Sequence, residues 1–153
     1  MKVLGFRADP NGARYAIVEN NGGDFSLLNA DGESRLLYPA NISPPSEKVT
    51  WLYRELERVF REHSDIARVV IKTNEYTQSD TKAKRESAYA EAMLLLYCAQ
   101  KQIPVDAKIY TSLGTKSGDV KVHAEQRVGK TAKYWDPKMA DAVVAAWSGA
   151  RGK

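Results

Sequence analysis

At 153 residues, 43% of them hydrophobic and 27% charged, the chain is expected to form one globular domain over residues 1–153, large enough to bury a core without disulfides or structural metal. That composition excludes intrinsic disorder, and no apolar run approaches the roughly 20 residues a membrane-crossing helix needs. The net charge of +4 admits a polyanionic partner without demanding one.

The first thirty residues read as an antiparallel meander. Residues 2–7 are a short β-rich run whose early charge, Lys2, argues against a signal peptide and for a cytoplasmic location. Asp9-Pro10-Asn11-Gly12 is a turn signal, because Pro fixes φ and Asn-Gly accepts positive φ. Residues 13–19 alternate around Tyr15 and Ile17, Asn20-Asn21-Gly22-Gly23 turns again, and residues 24–29 supply a third strand.

After Ser43-Pro44-Pro45-Ser46, apolar residues at Val49, Leu52, Tyr53, Leu56, Val59 and Phe60 recur at helical spacing and predict a helix over 46–63, capped by Ser46 and closed at His63. The β-branched run 66–71 predicts a strand buried on both faces. Residues 82–101 are rich in Ala, Glu, Lys and Leu and predict a long helix. Its opening cations Lys82, Lys84 and Arg85 oppose the helix dipole and are candidates for contact with phosphate or an acidic partner. Ile103-Pro104-Val105 with Ile109 predicts a second buried strand, and residues 137–147 a final helix with Asp136 as N-cap and Pro137 at the first helical position.

This order, β-β-β-α-β-α-β followed by one or more helices, predicts an α/β fold with a mixed five-stranded sheet. Three strands are antiparallel, two are parallel, and helices cover both faces. Trp51 and Trp147 are expected in the core, as is Cys98, which has no partner for a disulfide.

Positive charge gathers toward the C-terminal third, where seven Lys and Arg stand against three acids between residues 108 and 138. Within it, Lys116, Lys121, Arg127, Lys130 and Lys133 are candidate backbone contacts to nucleic acid. Thr111-Ser112-Leu113-Gly114-Thr115-Lys116-Ser117-Gly118-Asp119 has the composition of a phosphate-cradling loop but not the spacing of a nucleotide-binding P-loop. Tyr134-Trp135 beside Lys130 and Lys133 suits either a base-stacking surface or a staple for the last helix. His63 and His123 lack ligand-like neighbours and are expected at the surface.

Leu4-Gly5-Phe6 in the opening strand, Val69-Val70-Ile71 in the middle strand and Ala140-Asp141-Ala142-Val143-Val144-Ala145 in the last helix together resemble the RuvC-like branch of the ribonuclease H superfamily. The chain is also similar to a small group of uncharacterised bacterial RuvC-like proteins whose middle strand likewise ends in Val-Ile-Lys, for which a fold and no activity is implied. The resemblance implies a ribonuclease H-like fold and, in active members, carboxylates on the first strand, the fourth strand and the last helix that hold two divalent ions for phosphodiester cleavage. Here Arg7 stands at the first place and Lys72 at the second, while Lys138 stands where a further acid often precedes Asp141.

Three functions follow. The leading one is a catalytically degenerate protein without cofactor, binding nucleic acid, DNA more than RNA, or a protein partner, with Arg7, Lys72 and Lys138 converging on Asp141 as an ion pair or phosphate pocket. An alternative is an active Mg²⁺- or Mn²⁺-dependent endonuclease using Asp141, Asp9, Glu75 and Asp136, with Asp141 the retained metal ligand. The third is an interaction subunit without nucleic-acid affinity. A homodimer is an expectation from the resemblance alone.

Overall fold

Strand β1 (Lys2–Asp9) is the spine of the sheet in the computed structural model, which describes residues 1–152; Lys153, the last residue of the expected domain, lies outside them. β2 (Gly12–Asn21) pairs with it antiparallel and β5 (Ile66–Lys72) parallel. Outside these lie β3 (Asp24–Leu27) and β6 (Val105–Lys108), giving the order β3-β2-β1-β5-β6. No helix is long and apolar enough to cross a membrane among the described residues.

The sheet has six strands, not five. β4 (Arg35–Leu37) shares the outer edge of β2 with β3, β3 covering residues 18–21 and β4 residues 12–14. The gap between them is filled by the buried Asn29, whose amide accepts from Ile17 N–H at 2.9 Å and donates to the carbonyls of Tyr15 at 3.0 Å and Glu33 at 2.9 Å. A three-residue strand paired only to residues 12–14 of β2 has no β-rich run to announce it.

Helix α1 (Pro45–Glu62) starts one residue before the expected position, with Pro44 at the N-cap and no side-chain cap. Ser46 is not the cap; two consecutive prolines set φ for the first turn instead. Helix α2 (Lys82–Lys101) is capped by Thr81, whose hydroxyl accepts from Lys84 N–H at 3.2 Å. The preceding loop answers its opening cations, since Arg85 pairs with Asp80 at 3.0 Å and Lys84 donates to Ser79 Oγ at 2.7 Å. β6 is an exposed edge strand rather than a buried one: Asp106 and Ala107 face solvent, and Pro104 lies outside the strand. Two short helices, α3 (Tyr110–Leu113) and α4 (Val120–Arg127), then lead to α5 (Pro137–Ala150).

Side-chain alternation along β1 divides the core. Leu4, Phe6 and Ala8 pack with Leu52, Leu56, Leu94 and Cys98 under α1 and α2, and burial pushes the Cys98 thiol up to about 11. Val3 and the other face of β1 meet α5. Helix and sheet approach so closely there that a Cβ on Gly5 would lie 1.9 Å from the carbonyl oxygen of Ala142. Trp51 and Trp147 are half-buried rather than central to the core. Trp51 packs edge-on to Tyr38 at 5.7 Å, while the Trp147 ring lies beneath the guanidinium groups of Arg127 at 4.3 Å and Arg151 at 4.1 Å.

Candidate functional site

A two-residue turn at Pro10-Asn11 places Arg7 opposite Arg14, and Arg14 in turn stands opposite Arg35 on β4. On the other side of β1, Lys72 follows the Phe6–Ile71 pair and stands opposite Lys108. Five cations thus cross the sheet in one row, Arg35-Arg14-Arg7-Lys72-Lys108, at the C-terminal end of β1. Neighbouring strands lie about 4.8 Å apart, so the row spans roughly 19 Å. Like charges directly opposite one another destabilise a sheet, so counter-charge must reach the row from outside it.

It comes from α5 and the loops. Asp141, on the second turn of α5 and only 1% exposed, accepts from Arg7 Nε at 2.9 Å and from the Tyr110 hydroxyl at 2.8 Å. Arg7 also donates to Asn74 Oδ1 at 2.9 Å. Lys72, likewise 1% exposed, donates to Glu75 Oε2 at 3.1 Å and to the Thr73 carbonyl, and its ammonium lies 3.9 Å from the Tyr110 ring centroid. Arg14 joins two carboxylates, donating to Asp9 and, at 2.9 Å, to Asp136. Asp9 also accepts from Asn11 N–H at 2.7 Å within the turn, and Asp136 caps α5 through Met139 N–H at 2.8 Å. Asp136→Ala is expected to cost about 1 to 2 kcal/mol, since it removes a helix cap together with one Arg14 partner; urea unfolding measures it.

Burial dominates the protonation of this cluster. It pushes the Asp141 carboxyl above the ordinary carboxylate value, against the hydrogen bond from Tyr110 and the charges of Arg7 and Lys72. It pushes the Lys72 ammonium down, against its bond to Glu75. Burial also raises Glu91, a carboxyl from α2 that accepts from Thr73 Oγ1 at 2.7 Å within the field of Arg7 and Lys72. A carboxyl raised on folding adds stability below its unfolded pKa and loses that contribution as pH rises through the folded value. Asp141→Asn is therefore expected to flatten the fall in stability as pH rises from about 3.8, measured by urea unfolding across acidic pH.

The arrangement only partly matches the sequence expectation. Arg7 meets Asp141 directly, and Lys72 acts on it only through its charge while bonding Glu75. Lys138 does not pair with it: it lines a neighbouring depression with Asp9 and Arg14. Strand alternation would send Glu75 to the opposite face, but β5 ends at Lys72 and the chain folds back, so Glu75 reaches both Lys72 and the Tyr110 N–H, the latter at 3.1 Å. Two ions held about 4 Å apart need several converging carboxylate oxygens. Among the described residues no group of three or more His, Cys, Asp or Glu side chains is placed to hold an ion. Asp141, Glu75 and the Asp9-Asp136 pair are each engaged by a cation, so the residues present do not fit a two-ion centre.

Along the C-terminal third, Lys116, Lys121, Lys130 and Lys133 are exposed, and Lys130 pairs with Glu125 at 3.8 Å. Arg127 turns inward, donating to the carbonyls of Leu113 at 3.2 Å and Gly114 at 2.8 Å, and burial lowers its pKa. It braces the loop rather than presenting charge. Thr115 in that loop is buried against His123 Nδ1 at 2.6 Å, so His123 ties the loop to α4. Trp135 packs into the core while Tyr134 is exposed, with the Arg35 guanidinium 3.4 Å from its ring centroid. Arg14, Arg35, Lys108, Asn74, Tyr110 and Glu91 join the site without belonging to any motif, because their neighbours in the chain are ordinary. Only the hairpin turn, which sets Arg14 against Arg7, carries a readable signal.

By sequence, no protein-family model and no curated protein matches this chain. By structure, it is similar to Thermus thermophilus RuvC in complex with a Holliday junction substrate, with TM-score 0.77 and 16% identity over 97% of this chain and 92% of that one. The fold is that of RuvC. A second T. thermophilus RuvC structure matches at TM-score 0.75 with the same identity and coverage. The yeast mitochondrial Holliday junction resolvase Ydc2 matches at TM-score 0.61 and 15% identity, over 97% of this chain and 78% of that one. At these identities the likeness is one of fold.

Proposed function

We propose that this protein is a catalytically degenerate RuvC-fold protein that binds nucleic acid, DNA in preference to RNA, without cutting it. The observation that supports this reading is the 2.9 Å ion pair from Arg7 to Asp141; by the sequence resemblance, cleaving members of the fold carry a metal-binding carboxylate at the position of Arg7. A guanidinium has no acceptor and does not ligate a divalent cation. Exposed Lys116, Lys121, Lys130 and Lys133 supply phosphate contacts that carry no sequence information. The DNA preference is supported by the structural neighbour that carries a Holliday junction, and a homodimer and a cytoplasmic location belong to the same reading.

Fluorescence anisotropy with four-way junction DNA, linear duplex and RNA–DNA hybrid, followed by incubation with Mn²⁺, tests the proposal. Binding with a log–log salt slope of about −3, for three or four phosphate contacts, and intact substrate are expected. Cleavage that needs Mn²⁺ and disappears in Asp141→Asn would establish instead an endonuclease with relocated carboxylates at Asp9, Glu75 and Asp136. Absence of binding even at low salt would leave a protein-interaction subunit.

A further inference from the structure

Beside the ion-pair cluster, between the β1–β2 turn, the segment after β4 and the start of α5, lies a depression of about 510 Å³. Four cations line it, Arg14, Arg35, Lys48 and Lys138, against the single carboxylate of Asp9. Arg14 is balanced by Asp9 and Asp136, and Lys48 by Glu86 at 3.5 Å. Arg35 and Lys138 make no ion pair among the described residues. The Arg14 Nε is in addition buried without a hydrogen-bond partner. Lys138, and Arg35 engaged by the face of the Tyr134 ring at 3.4 Å but by no carboxylate, leave the depression with an excess of positive charge that suits a compact anion.

Apart from Asn11, the remaining wall is apolar. Tyr38 and Ile42 belong to it; the Tyr38 ring is held edge-on by Trp51 at 5.7 Å, and the Lys48 ammonium lies 5.6 Å from its centroid. The volume falls within the roughly 300–1,000 Å³ typical of small-ligand pockets and exceeds what one phosphate fills. An anion-binding side next to a fixed aromatic ring matches a nucleotide, whose phosphate is doubly charged and whose base has a face to stack.

We propose that this depression binds a single nucleoside monophosphate unit, either a free nucleotide or the phosphorylated end of a strand. The site is separate from the backbone contacts of the C-terminal lysines and does not require them.

Titration of the full chain by calorimetry with dAMP and with inorganic phosphate tests the proposal. dAMP is expected to bind at least about tenfold more tightly than phosphate, and Lys138→Ala and Arg35→Ala are each expected to weaken dAMP by about tenfold, with unchanged circular dichroism. Failure of dAMP to bind at millimolar concentration would overturn the proposal. Equal affinity for dAMP and phosphate would also overturn it, leaving an anion site only, as would binding untouched by both substitutions. Paired oligonucleotides differing only in a 5′-phosphate or 5′-hydroxyl separate the two sources. Tighter binding of the 5′-phosphorylated than of the 5′-hydroxyl oligonucleotide, with the difference lost in Lys138→Ala, assigns the strand end, and equal binding of the two oligonucleotides with dAMP bound assigns the free nucleotide. Loss of all oligonucleotide binding with dAMP binding retained would defeat the backbone-binding function and leave this site standing.

Discussion

Arg7→Asp combined with Lys72→Glu is expected to destabilise the protein by more than about 5 kcal/mol without metal, and to create a divalent-ion site through which Mn²⁺ restores part of the loss. Arg7 is ion-paired to Asp141, which is 1% exposed, Lys72 is paired to Glu75 and its charge acts on Asp141, and Glu91 is close enough to feel both cations. Replacing both cations by carboxylates leaves the buried Asp141 without either counter-charge and adds two charges of its own sign. Removing one partner of a buried pair costs about 3 to 5 kcal/mol, and here two are removed. The two new carboxylates together with Asp141, Glu75 and Glu91 would then suit a hard divalent cation. Mn²⁺ at about one hundred times its dissociation constant would return about 2.7 kcal/mol. Urea unfolding of parent and variant, each with and without MnCl₂, measures both effects. A variant as stable as the parent without metal would show that Arg7 and Lys72 do not hold the cluster together. An equal Mn²⁺ shift in the parent would show that the native residues already bind the ion.

Gly5→Ala is expected to cost more than about 4 kcal/mol, enough to unfold a marginally stable domain. The added Cβ would lie 1.9 Å from the Ala142 carbonyl oxygen and 2.7 Å from the Ala146 nitrogen, both backbone atoms of α5. No rotamer change relieves such a contact; the helix must move off the sheet, and Asp141 rides on that helix. Gly149→Ala is the informative comparison, because its Cβ would meet only side-chain atoms, the nearest being the tips of Val70 at 2.8 Å and Val3 at 2.9 Å. Overpacking of that kind costs about 1 to 3 kcal/mol. Gly22→Ala, with φ +64° and nothing within 4 Å, should cost only about 1 kcal/mol of backbone strain. Denaturation midpoints for the three variants test the order, and a Gly5 variant no worse than the Gly149 variant would refute the close approach.

Much of the fold is legible in the sequence because its signals are local. Residues 82–101 form a helix over the expected span, and Asp136-Pro137 starts α5 as its capping chemistry implies. The exceptions have equally local causes. β4 is only three residues long, and β6 lies at an edge although Ile103, Val105 and Ile109 around it have the composition of a buried strand. In the candidate site, the charge types are legible and their partners are not. Helical spacing puts Lys138 on the face of Asp141 and the resemblance groups it with Arg7 and Lys72, yet Lys138 lines the neighbouring depression. Strand alternation turns Glu75 away from the cluster, yet the end of β5 at Lys72 returns it there.

The amino-acid sequence by itself determined the order of the main elements, the cap of the last helix and the presence of cations at positions 7 and 72, because periodicity, capping and side-chain charge are settled within a few residues. Only the tertiary structure decided that five cations share one row and which carboxylates Arg7, Arg14 and Lys72 meet. Arg7 finds Asn74 at a separation of 67 residues and Asp141 at 134, and Arg14 finds Asp136 at 122. Such contacts depend on strand register and on how closely α5 lies over Gly5, which no stretch of the chain specifies alone.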